Sequence, residues 1–372
     1  MTRFDRQIKL MGFGNEGQQK LNSASVLVIG AGGLGCPALL YLAAAGVGKI
    51  GVVDGDVVDI SNLNRQVLYG ESDVGKSKVG VAVERIRQKY YNIAVEGYEQ
   101  FIDNSNAIAL ISKYDVVLDC CDNFSTRYLV NDACVLLNKP LVYGAIYQYE
   151  GQVSVFNVQD LNGIAHNYRD LFPDPPDAGQ IPNCNDTGVL GVLPGIIGTL
   201  QATEAIKLIV GLGNILCGKM LYYNLLDQRF NELAIDKNPV SDQKIPASQI
   251  EFQDRDYRIT CAAVKNIDWD KALEMFFLNP ELTAFVDVRE KDELPKIEAV
   301  PCLALPLSSI AQQINCLLPY ENVLVFCKSG LRSDKAVMQL QQADPFRKYY
   351  SILGGIMNNL SPNNNKPYAK EV

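Results

Sequence analysis

The chain has 372 residues and a mass of 41.0 kDa, which exceeds the roughly 100–200 residues of a single domain and indicates two domains. Hydrophobic residues make up 48% and charged residues 20% of the chain, so it can bury sizeable cores and wholesale disorder is excluded. The net charge of -8 and the pI near 4.9 argue against nonspecific binding to nucleic acid or to an anionic membrane.

The chain contains ten cysteines but a single histidine, His166. The N-terminal segment MTRFDRQIKL has no apolar signal region, so we expect a cytoplasmic protein whose cysteines are free thiols. One histidine excludes a His-rich metal cluster and disfavours a Ser-His or Cys-His relay. The longest apolar stretch, residues 189–200, is interrupted by Gly and Pro and is shorter than the roughly 20 residues that span a bilayer, so no transmembrane helix is expected.

In the first two thirds of the chain, short β-branched runs alternate with helical patterns. This alternation is typical of βαβ units and predicts an α/β, Rossmann-like domain with a mostly parallel sheet over residues 1–237. Helices are predicted up to Ala45 and over residues 198–210. The predicted strands cover residues 26–30, 49–54, 94–98, 115–119, 141–144 and 152–156, the last being an added strand that can pair antiparallel.

The following segment, residues 238–257, is polar, contains prolines and has no sustained periodicity, which predicts a linker. After it, a second, small α/β domain is predicted over residues 258–372. Its strands are expected at residues 284–288, 323–327 and 350–353, and its helix at residues 333–342.

A glycine-rich turn lies between the first predicted strand and its helix. Its candidate nucleotide-binding residues are Gly30, Gly32, Gly33 and Gly35. Glycines let backbone N–H groups and the helix N-terminus approach phosphate, and Asp54, at the end of the next strand, can accept ribose hydroxyls. The pattern alone fits NAD, FAD or ATP, with NAD the commonest ligand, and it also fits glycines that merely permit close helix packing.

Basic residues downstream of Asp54 favour a triphosphate. Asn62, Arg65 and Lys78 follow the second predicted strand, where a dehydrogenase needs no extra cations. Arg65 can bind β- and γ-phosphate oxygens bidentately, and Lys78 can place a positive charge on the leaving pyrophosphate. The alternative interpretation is a solvated helix face.

Two carboxylates, Asp119 and Asp122, stand at the carboxyl end of the predicted strand 115–119, where ligands bind in open α/β sheets. One of them can hold the Mg²⁺ that accompanies ATP. Strand alternation directs Asp119 elsewhere, so Asp122 is the candidate metal ligand. Structural capping of the next helix is the alternative role.

These motifs, G-x-G-G-x-G, D-x-D, SNLxRQ, VGxxK and DxxDN, resemble in their order the ThiF/MoeB/HesA group of E1-like adenylyltransferases, which activate ubiquitin-like sulfur carrier proteins. The resemblance covers residues 1 to about 235 and implies ATP and Mg²⁺ as cofactors. It implies that Asp54 binds ribose, that Lys78 binds phosphates and that Asp122 binds Mg²⁺. Further residues implied at the nucleotide are Ser61, Asn62, Leu63, Asn64, Arg65 and Asn123.

The resemblance also implies a homodimer with composite sites, because Arg6 of the segment RFDRQ matches an arginine that reaches the neighbouring protomer's ATP. The implied reaction is attack of the carrier's C-terminal Gly carboxylate on the α-phosphate of ATP. A carboxylate is already nucleophilic, so positioning and charge neutralisation by Arg6, Arg65, Lys78 and Mg²⁺ suffice without a protein base.

Cys184 follows a proline-rich loop, residues 173–182, and matches the loop cysteine of this family. An exposed thiol there can attack the activated acyl group, although an ordinary loop cysteine is the alternative. Many relatives hold zinc with two C-x-x-C pairs, but their places read Asn167 to Asp170 and residues 237–243, without cysteine. We therefore expect no zinc, and we expect His166 to be a surface or loop residue.

Cys327 begins the loop of a predicted strand, loop and helix in VLVFCKSGLRSDKAV. Backbone N–H groups, the helix N-terminus and Arg332 can there stabilise a thiolate or persulfide. The pattern C-x-x-G-x-R-S, residues 286–290 (VDVRE) and residues 353–356 (LGGI) resemble the rhodanese-like sulfurtransferases. A cysteine phosphatase expects C-x5-R and fits less well. The segment 291–306 lacks the family's usual His and Gly, which leaves a domain used only for docking as an alternative.

Together the two resemblances imply an enzyme that adenylates the carrier's C-terminal Gly and converts it to a thiocarboxylate for molybdopterin or thiamine biosynthesis. A cysteine desulfurase or another sulfur donor is the implied second partner. The alternatives are a noncatalytic docking scaffold and an NAD-dependent dehydrogenase. The remaining cysteines are expected to be small core residues; they are Cys36, Cys120, Cys121, Cys134, Cys217, Cys261, Cys302 and Cys316.

Overall fold

The structure is a computed structural model that describes residues 3–176, 188–257, 264–290, 292–295, 300–344 and 347–356. The chain forms two compact units. The first contains Met1–Pro175 and Asn183–Arg258, and the second contains Pro176–Pro182 and Ile259–Val372.

The first unit is an α/β fold built on one large sheet. Its helices are α1 (Asp5–Ile8), α2 (Gly14–Ser23), α3 (Gly35–Ala45), α4 (Lys78–Lys89), α5 (Ala107–Ile111), α6 (Phe124–Leu136), α7 (Tyr168–Leu171), α8 (Val192–Val210), α9 (Ser241–Lys244) and α10 (Gln249–Asp254). Its strands are β1 (Ser25–Ile29), β2 (Lys49–Val53), β3 (Ala94–Tyr98), β4 (Val116–Asp119), β5 (Leu141–Tyr147), β6 (Glu150–Phe156), β7 (Lys219–Asn224) and β8 (Arg229–Ala234).

The strand order in this sheet is β3-β2-β1-β4-β5-β6-β7-β8. The first five strands in this order, β3, β2, β1, β4 and β5, run parallel. β6 pairs antiparallel with β5, β7 with β6, and β8 with β7. The predicted α/β class, its mostly parallel sheet and the added antiparallel strand are confirmed. β7 and β8 were not predicted; every residue of β8 is exposed, so that strand has no buried face to impose an apolar alternation.

Helix α8 is the central packing element beside the sheet. Among the described residues it alone has the length and apolar composition that could cross a membrane. It packs against α3, β5 and β6, and the fully buried side chain of Gln201 donates a hydrogen bond to the Asp119 carbonyl at 2.7 Å. These contacts are those of a core helix.

The segment 238–257, for which the sequence predicts a linker, contains α9 and α10 and belongs to the first unit. Phe252 is fully buried there, with its ring 5.3 Å from that of Tyr257. Isolated aromatic anchors hold this polar segment in place, and they leave no periodic apolar pattern in the sequence.

The second unit is a smaller α/β fold whose five-stranded sheet is parallel throughout, in the order β11-β10-β12-β13-β9. The described elements are β9 (Lys265–Ile267), α11 (Trp269–Leu278), β10 (Thr283–Asp287), β11 (Cys302–Ala304), β12 (Asn322–Phe326), α12 (Leu331–Ala343) and β13 (Lys348–Ile352). β10, β12, β13 and α12 correspond to the predicted elements. β9 and β11 have three residues each, too few to show a strand period.

Candidate functional site

The glycine loop after β1 is packed tightly against its surroundings. Gly30 has a φ of +96°, and a Cβ atom there would lie 2.7 Å from the carbonyl oxygen of Cys120. A Cβ atom at Gly35 would lie 2.0 Å from the Gly30 carbonyl oxygen, whereas at Gly32 the nearest atom would be 3.6 Å away. Gly30 and Gly35 therefore satisfy backbone packing, and Gly32 is the position that leaves room above the loop.

Asp54, at the end of β2, connects the glycine loop to the turn that follows β2. One carboxylate oxygen accepts a hydrogen bond from Ala31 N and the other from Asp56 N, both at 2.8 Å. Burial raises the pKa of the Asp54 carboxyl, and the two backbone N–H groups oppose this rise by stabilising the carboxylate.

Arg65 is held by acceptors of its own turn, which contains a short 3-10 helix (Ile60–Asn62). Its Nη1 donates to the Ser61 carbonyl at 2.9 Å and to Asn64 Oδ1 at 3.1 Å. The Asp59 carboxylate caps this turn by accepting from Ser61 N and Ser61 Oγ. Arg65 is partly exposed, so its guanidinium can exchange these acceptors for other oxygens.

Lys78 is the nearly buried cation of the first unit's candidate site. It lies at the first position of α4, after the capping residue Ser77, with its side chain 8% exposed. Its Nζ is 2.9 Å from Asp56 Oδ2, and its backbone N–H donates to the Asp56 carbonyl at 3.0 Å. Asp56 belongs to the D-x-D pattern but was not among the predicted site residues.

The two carboxylates near the end of β4 have different environments. Asp119 is fully buried, accepts a hydrogen bond from Cys121 N at 3.0 Å, and has Oδ2 3.5 Å from Arg127 Nε. Burial raises the pKa of the Asp119 carboxyl, while the Arg127 charge lowers it. Asp122 is exposed, and Asn123 Oδ1 caps α6 by accepting from Thr126 N at 2.8 Å.

Sheet order brings three of these groups to one edge. β1 lies between β2 and β4, and all three strands are parallel, so the glycine loop, the segment after Asp54 and the segment with Asp122 leave neighbouring strands at the same edge. This is where an open α/β sheet binds ligands. Arg6 is exposed on α1, and Cys184 lies outside the described residues.

The two segments at the places of the zinc-binding pairs are joined by Asp170. Its side chain is fully buried, and its carboxylate accepts from Asn167 N at 2.8 Å, from Asn238 N at 3.0 Å and from Ser241 Oγ at 2.5 Å. His166 lies in a loop as expected, but it is buried rather than on the surface, with Nε2 3.5 Å from Asp160 Oδ2. Its Nδ1 lies 3.9 Å from Asp170 Oδ2.

Within the part of the chain that the structure describes, no group of three or more His, Cys, Asp or Glu side chains could hold a metal ion.

Cys327 follows β12 and is fully buried in the loop that leads into α12. Its Sγ accepts a hydrogen bond from Gly330 N at 3.1 Å and lies 3.7 Å from Ser333 Oγ. Arg332 is paired with Glu293, with Nη2 2.8 Å from Oε2. The Arg332 guanidinium lowers the pKa of the Glu293 carboxyl to about 2. Glu293, Ser333 and Asp287, which pairs with Arg289, were not among the predicted site residues.

The other described cysteines are free thiols with different degrees of burial. Cys36, Cys120, Cys121 and Cys134 are buried, as expected of small core residues. Burial raises the pKa of Cys36 to about 12. Cys217 and Cys302 are half-buried, and Cys316 is exposed, so the expectation of a core position is wrong for Cys316. Cys261 lies outside the described residues.

Comparison with known proteins assigns the chain to a family. A model of the ThiF family matches residues 4–244. Probable adenylyltransferase/sulfurtransferase MoeZ of Mycobacterium tuberculosis is 41% identical over 369 residues, which cover 96% of this chain and 92% of that protein. The sulfur carrier protein adenylyltransferase of Thermus thermophilus is 50% identical over 240 residues, covering 64% of this chain and 89% of that protein.

A third relative, the probable molybdopterin-synthase adenylyltransferase of Porphyra purpurea, is 37% identical over 360 residues, covering 95% of this chain and 91% of that protein. Among solved structures, E. coli MccB with ATP has a TM-score of 0.54 at 21% identity, covering 64% of this chain and 73% of that one, which supports the fold alone. The comparisons confirm the predicted family, the enzyme class and the pairing of adenylyl transfer with sulfur transfer. The chain therefore belongs to the ThiF family.

Proposed function

We propose that this enzyme uses ATP to adenylate the C-terminal Gly carboxylate of a ubiquitin-like sulfur carrier protein and then converts the adenylate to a thiocarboxylate. The observation that carries the first step is Lys78, a nearly buried ammonium at the start of α4, whose charge acts on the Asp54 carboxylate that contacts the glycine loop. The names of relatives that match almost the whole chain support both steps.

In the first step, a carboxylate oxygen of the carrier forms a bond to the α-phosphorus of ATP, and the bond to the β-phosphate oxygen breaks. Pyrophosphate leaves with the bond electrons. Lys78 and Arg65 neutralise the charge that accumulates on the phosphates, and Asp54 accepts the ribose hydroxyls, because each of its oxygens keeps a lone pair beside its backbone hydrogen bond. No protein base is needed, because the attacking carboxylate is already ionised.

Asp122 is the residue that would hold Mg²⁺. Its carboxylate is exposed at the ligand-binding edge of the sheet, and carboxylate oxygen is a preferred ligand of this hard cation. The ion, when bound with ATP, supplies further neutralisation of phosphate charge. Asn123 is exposed beside Asp122 and is committed to capping α6, so its role is to fix the turn that carries the metal ligand.

In the second step, a persulfide on Cys327 supplies the sulfur. Its terminal sulfur attacks the acyl carbon, AMP leaves, and the carrier becomes joined to Cys327 through an acyl disulfide. The Cys184 thiolate then attacks the Cys327 sulfur, which releases the carrier thiocarboxylate and leaves a Cys184–Cys327 disulfide. A cellular dithiol reductant returns both cysteines to thiols, and a cysteine desulfurase or another donor restores the persulfide.

The remaining parts of the proposal concern the oligomeric state, the cellular location, the zinc content and the pathway. We expect a homodimer in which Arg6 of one protomer contacts the phosphates bound by its partner, a cytoplasmic location that keeps the cysteines reduced, and no zinc. The pathway that uses the product is molybdopterin or thiamine biosynthesis, of which the name of the Porphyra relative favours molybdopterin.

The test separates the two steps. ATP–pyrophosphate exchange that depends on a carrier ending in Gly-Gly measures the first step, and mass spectrometry of the carrier measures replacement of its C-terminal oxygen by sulfur. Cys327→Ala should keep exchange at the wild-type rate and abolish the thiocarboxylate. Asp122→Ala should stop exchange. Absence of exchange with every Gly-Gly carrier, or an unchanged thiocarboxylate yield in Cys327→Ala, would overturn the corresponding step.

A further inference from the structure

A second buried hydroxyl stands behind the loop that holds Cys327. Ser351, on β13, is fully buried, and its Oγ donates a hydrogen bond to Ser333 Oγ at 2.9 Å. Ser333 Oγ in turn donates to the Gly330 carbonyl at 2.7 Å and lies 3.7 Å from Cys327 Sγ. β13 is the parallel neighbour of β12, with Ser351 in register with Val325, and this pairing brings the hydroxyl to the loop.

The single hydrogen of the Ser333 hydroxyl determines whether its oxygen faces Cys327 as a donor or as an acceptor. Ser333 has one hydroxyl hydrogen, and the Gly330 carbonyl receives it, so Ser333 Oγ faces the sulfur as an acceptor. That arrangement suits the Cys327 thiol, which can donate to it. It does not suit a thiolate or persulfide anion, because two acceptors would then face each other.

When the Cys327 proton leaves to solvent, the Ser333 hydroxyl must turn from the Gly330 carbonyl to the sulfur. Ser351 can donate to Ser333 Oγ whether the Ser333 hydrogen points to the Gly330 carbonyl or to the sulfur, because Ser333 Oγ keeps a lone pair free to accept it. A hydroxyl that accepts a hydrogen bond is a stronger donor, since bonds in a chain polarise one another. Both serines are fully buried, so water does not replace the Ser351 hydrogen bond.

The charged groups around this loop do not belong to the serine pair. Arg332, on α12, is engaged by Glu293, and Lys328 is an exposed loop residue. At the end of β10, which pairs with β12, the last strand residue Asp287 forms a buried ion pair with Arg289, with Nη2 and Oδ2 2.7 Å apart. Replacing Ser351 leaves these charges unchanged. Any change in the stability of the Cys327 anion would therefore come from the loss of the Ser351–Ser333 hydrogen bond.

We propose that Ser351 is a positioning residue for the sulfur chemistry of Cys327, which it supports by donating to Ser333 while Ser333 turns to stabilise the sulfur anion. This proposal rests on the proposed role of Cys327 as the sulfur-carrying residue, and it adds a residue of the neighbouring strand to that site.

The test measures the rate at which iodoacetamide alkylates Cys327 in the full chain across a range of pH, by mass spectrometry of the peptide that contains it. Ser351→Ala should shift the pH profile of alkylation to higher pH and slow thiocarboxylate formation about three- to tenfold, the effect of one hydrogen bond. Thr283→Val is the matched control. It removes a fully buried hydroxyl of β10 that has no hydrogen-bond partner among the described residues, and its profile should match the wild type.

A double-substitution cycle keeps the test specific. In a Ser333→Ala background, Ser351→Ala should cause no further shift, because Ser351 acts through Ser333. Additive shifts, or a Ser351→Ala profile equal to that of Thr283→Val, would overturn the proposal. Alkylation needs no carrier, so it also separates this result from a failure of the proposed function, which the thiocarboxylate assay of the unmodified enzyme would reveal.

Discussion

At the scale of single residues, the candidate nucleotide loop depends on glycine for two different reasons. Gly30 has a left-handed φ of +96°, which a side chain rarely adopts. Gly35 has no such φ, but its Cα faces the Gly30 carbonyl, and a Cβ atom would lie 2.0 Å from that oxygen. The start of α3 can therefore approach the loop only because Gly35 lacks a side chain, and the absence of one at Gly30 lets the loop approach the Cys120 carbonyl.

We expect Gly35→Ala to lower the free energy of unfolding by about 1–3 kcal/mol, the usual cost of overpacking a tight site. It should also weaken ATP binding, because the loop must move to relieve the clash. Urea denaturation and the KM for ATP in pyrophosphate exchange measure the two effects.

Gly195→Ala is the matched control for Gly35→Ala. Gly195 lies within α8, and a Cβ atom there would meet nothing within 4 Å. Alanine at this position should be neutral or stabilising by about 0.5–1 kcal/mol, since it reduces the entropy of the unfolded chain. Equal losses of stability in the two variants would contradict the role assigned to Gly35.

At the scale of elements, a buried carboxylate joins α7 to the segment that leads into α9. Asp170 accepts hydrogen bonds from the backbone of Asn167 and Asn238 and from the hydroxyl of Ser241, so it links two segments about seventy residues apart. These contacts form a cross-link made by a side chain, at the place where the family resemblance implied a zinc-binding pair.

We expect Asp170→Ala to destabilise the protein by about 2–4 kcal/mol, because the donors from both segments lose a buried acceptor. The melting temperature measures this change. Asp174→Ala, which removes a mostly exposed partner of Lys244, is the control and should cost less than about 1 kcal/mol.

Removal of metal tests whether the site around Asp170 contains zinc. A zinc chelator should leave the melting temperature of the wild-type protein unchanged, since Asp170 supplies the link itself. A lower melting temperature after chelation, restored by zinc, would contradict the prediction of a zinc-free site.

In the second unit, the ion pair of Arg332 and Glu293 connects α12 to the segment after β10. The pKa of Glu293 is lowered from 4.5 to about 2 by Arg332, so the carboxylate is favoured in the folded state. A group with a depressed folded pKa contributes stability above its unfolded pKa and loses that contribution as pH falls through the folded pKa.

The unfolding free energy of the wild type should therefore exceed that of Glu293→Gln most at pH above about 5, and the difference should shrink as the pH falls toward 2. Urea denaturation of both proteins at several pH values measures the difference. Glu274→Gln on α11 controls for the loss of one carboxylate charge. A difference that grows toward acid would contradict the assigned pair.

At the scale of the whole molecule, the proposed dimer predicts that each active site needs residues from both protomers. If Arg6 serves the partner's site, Arg6→Ala and Asp122→Ala should each lose most exchange activity. Equal mixing with subunit exchange should restore about a quarter of the wild-type rate, because half of the dimers then contain one site with both residues intact. No recovery in mixtures that contain hybrid dimers would place Arg6 in its own protomer's site.

Much of the first unit could be predicted because its signals are local. The alternation of buried strands and helices, the glycine turn and the D-x-D pattern each lie within a few residues, so the α/β class, β1 to β6 and the ligand-binding edge were accessible. β8 was not, because a strand whose residues are all exposed carries no apolar period. The linker prediction for residues 238–257 rests on the lack of an apolar period. A segment held in place by one buried side chain, such as Phe252, lacks that period just as a true linker does.

The sequence by itself determined the family, the order of the elements and the residue types available for nucleotide and sulfur chemistry. Tertiary structure alone decided which of them meet: Lys78 with Asp56, Asp170 with Asn238 and Ser241, and Ser351 with Ser333. Each pair joins residues that are distant in the sequence. Their contact depends on strand order and on the burial that makes an unpaired polar group costly, and neither is encoded in a short stretch of sequence.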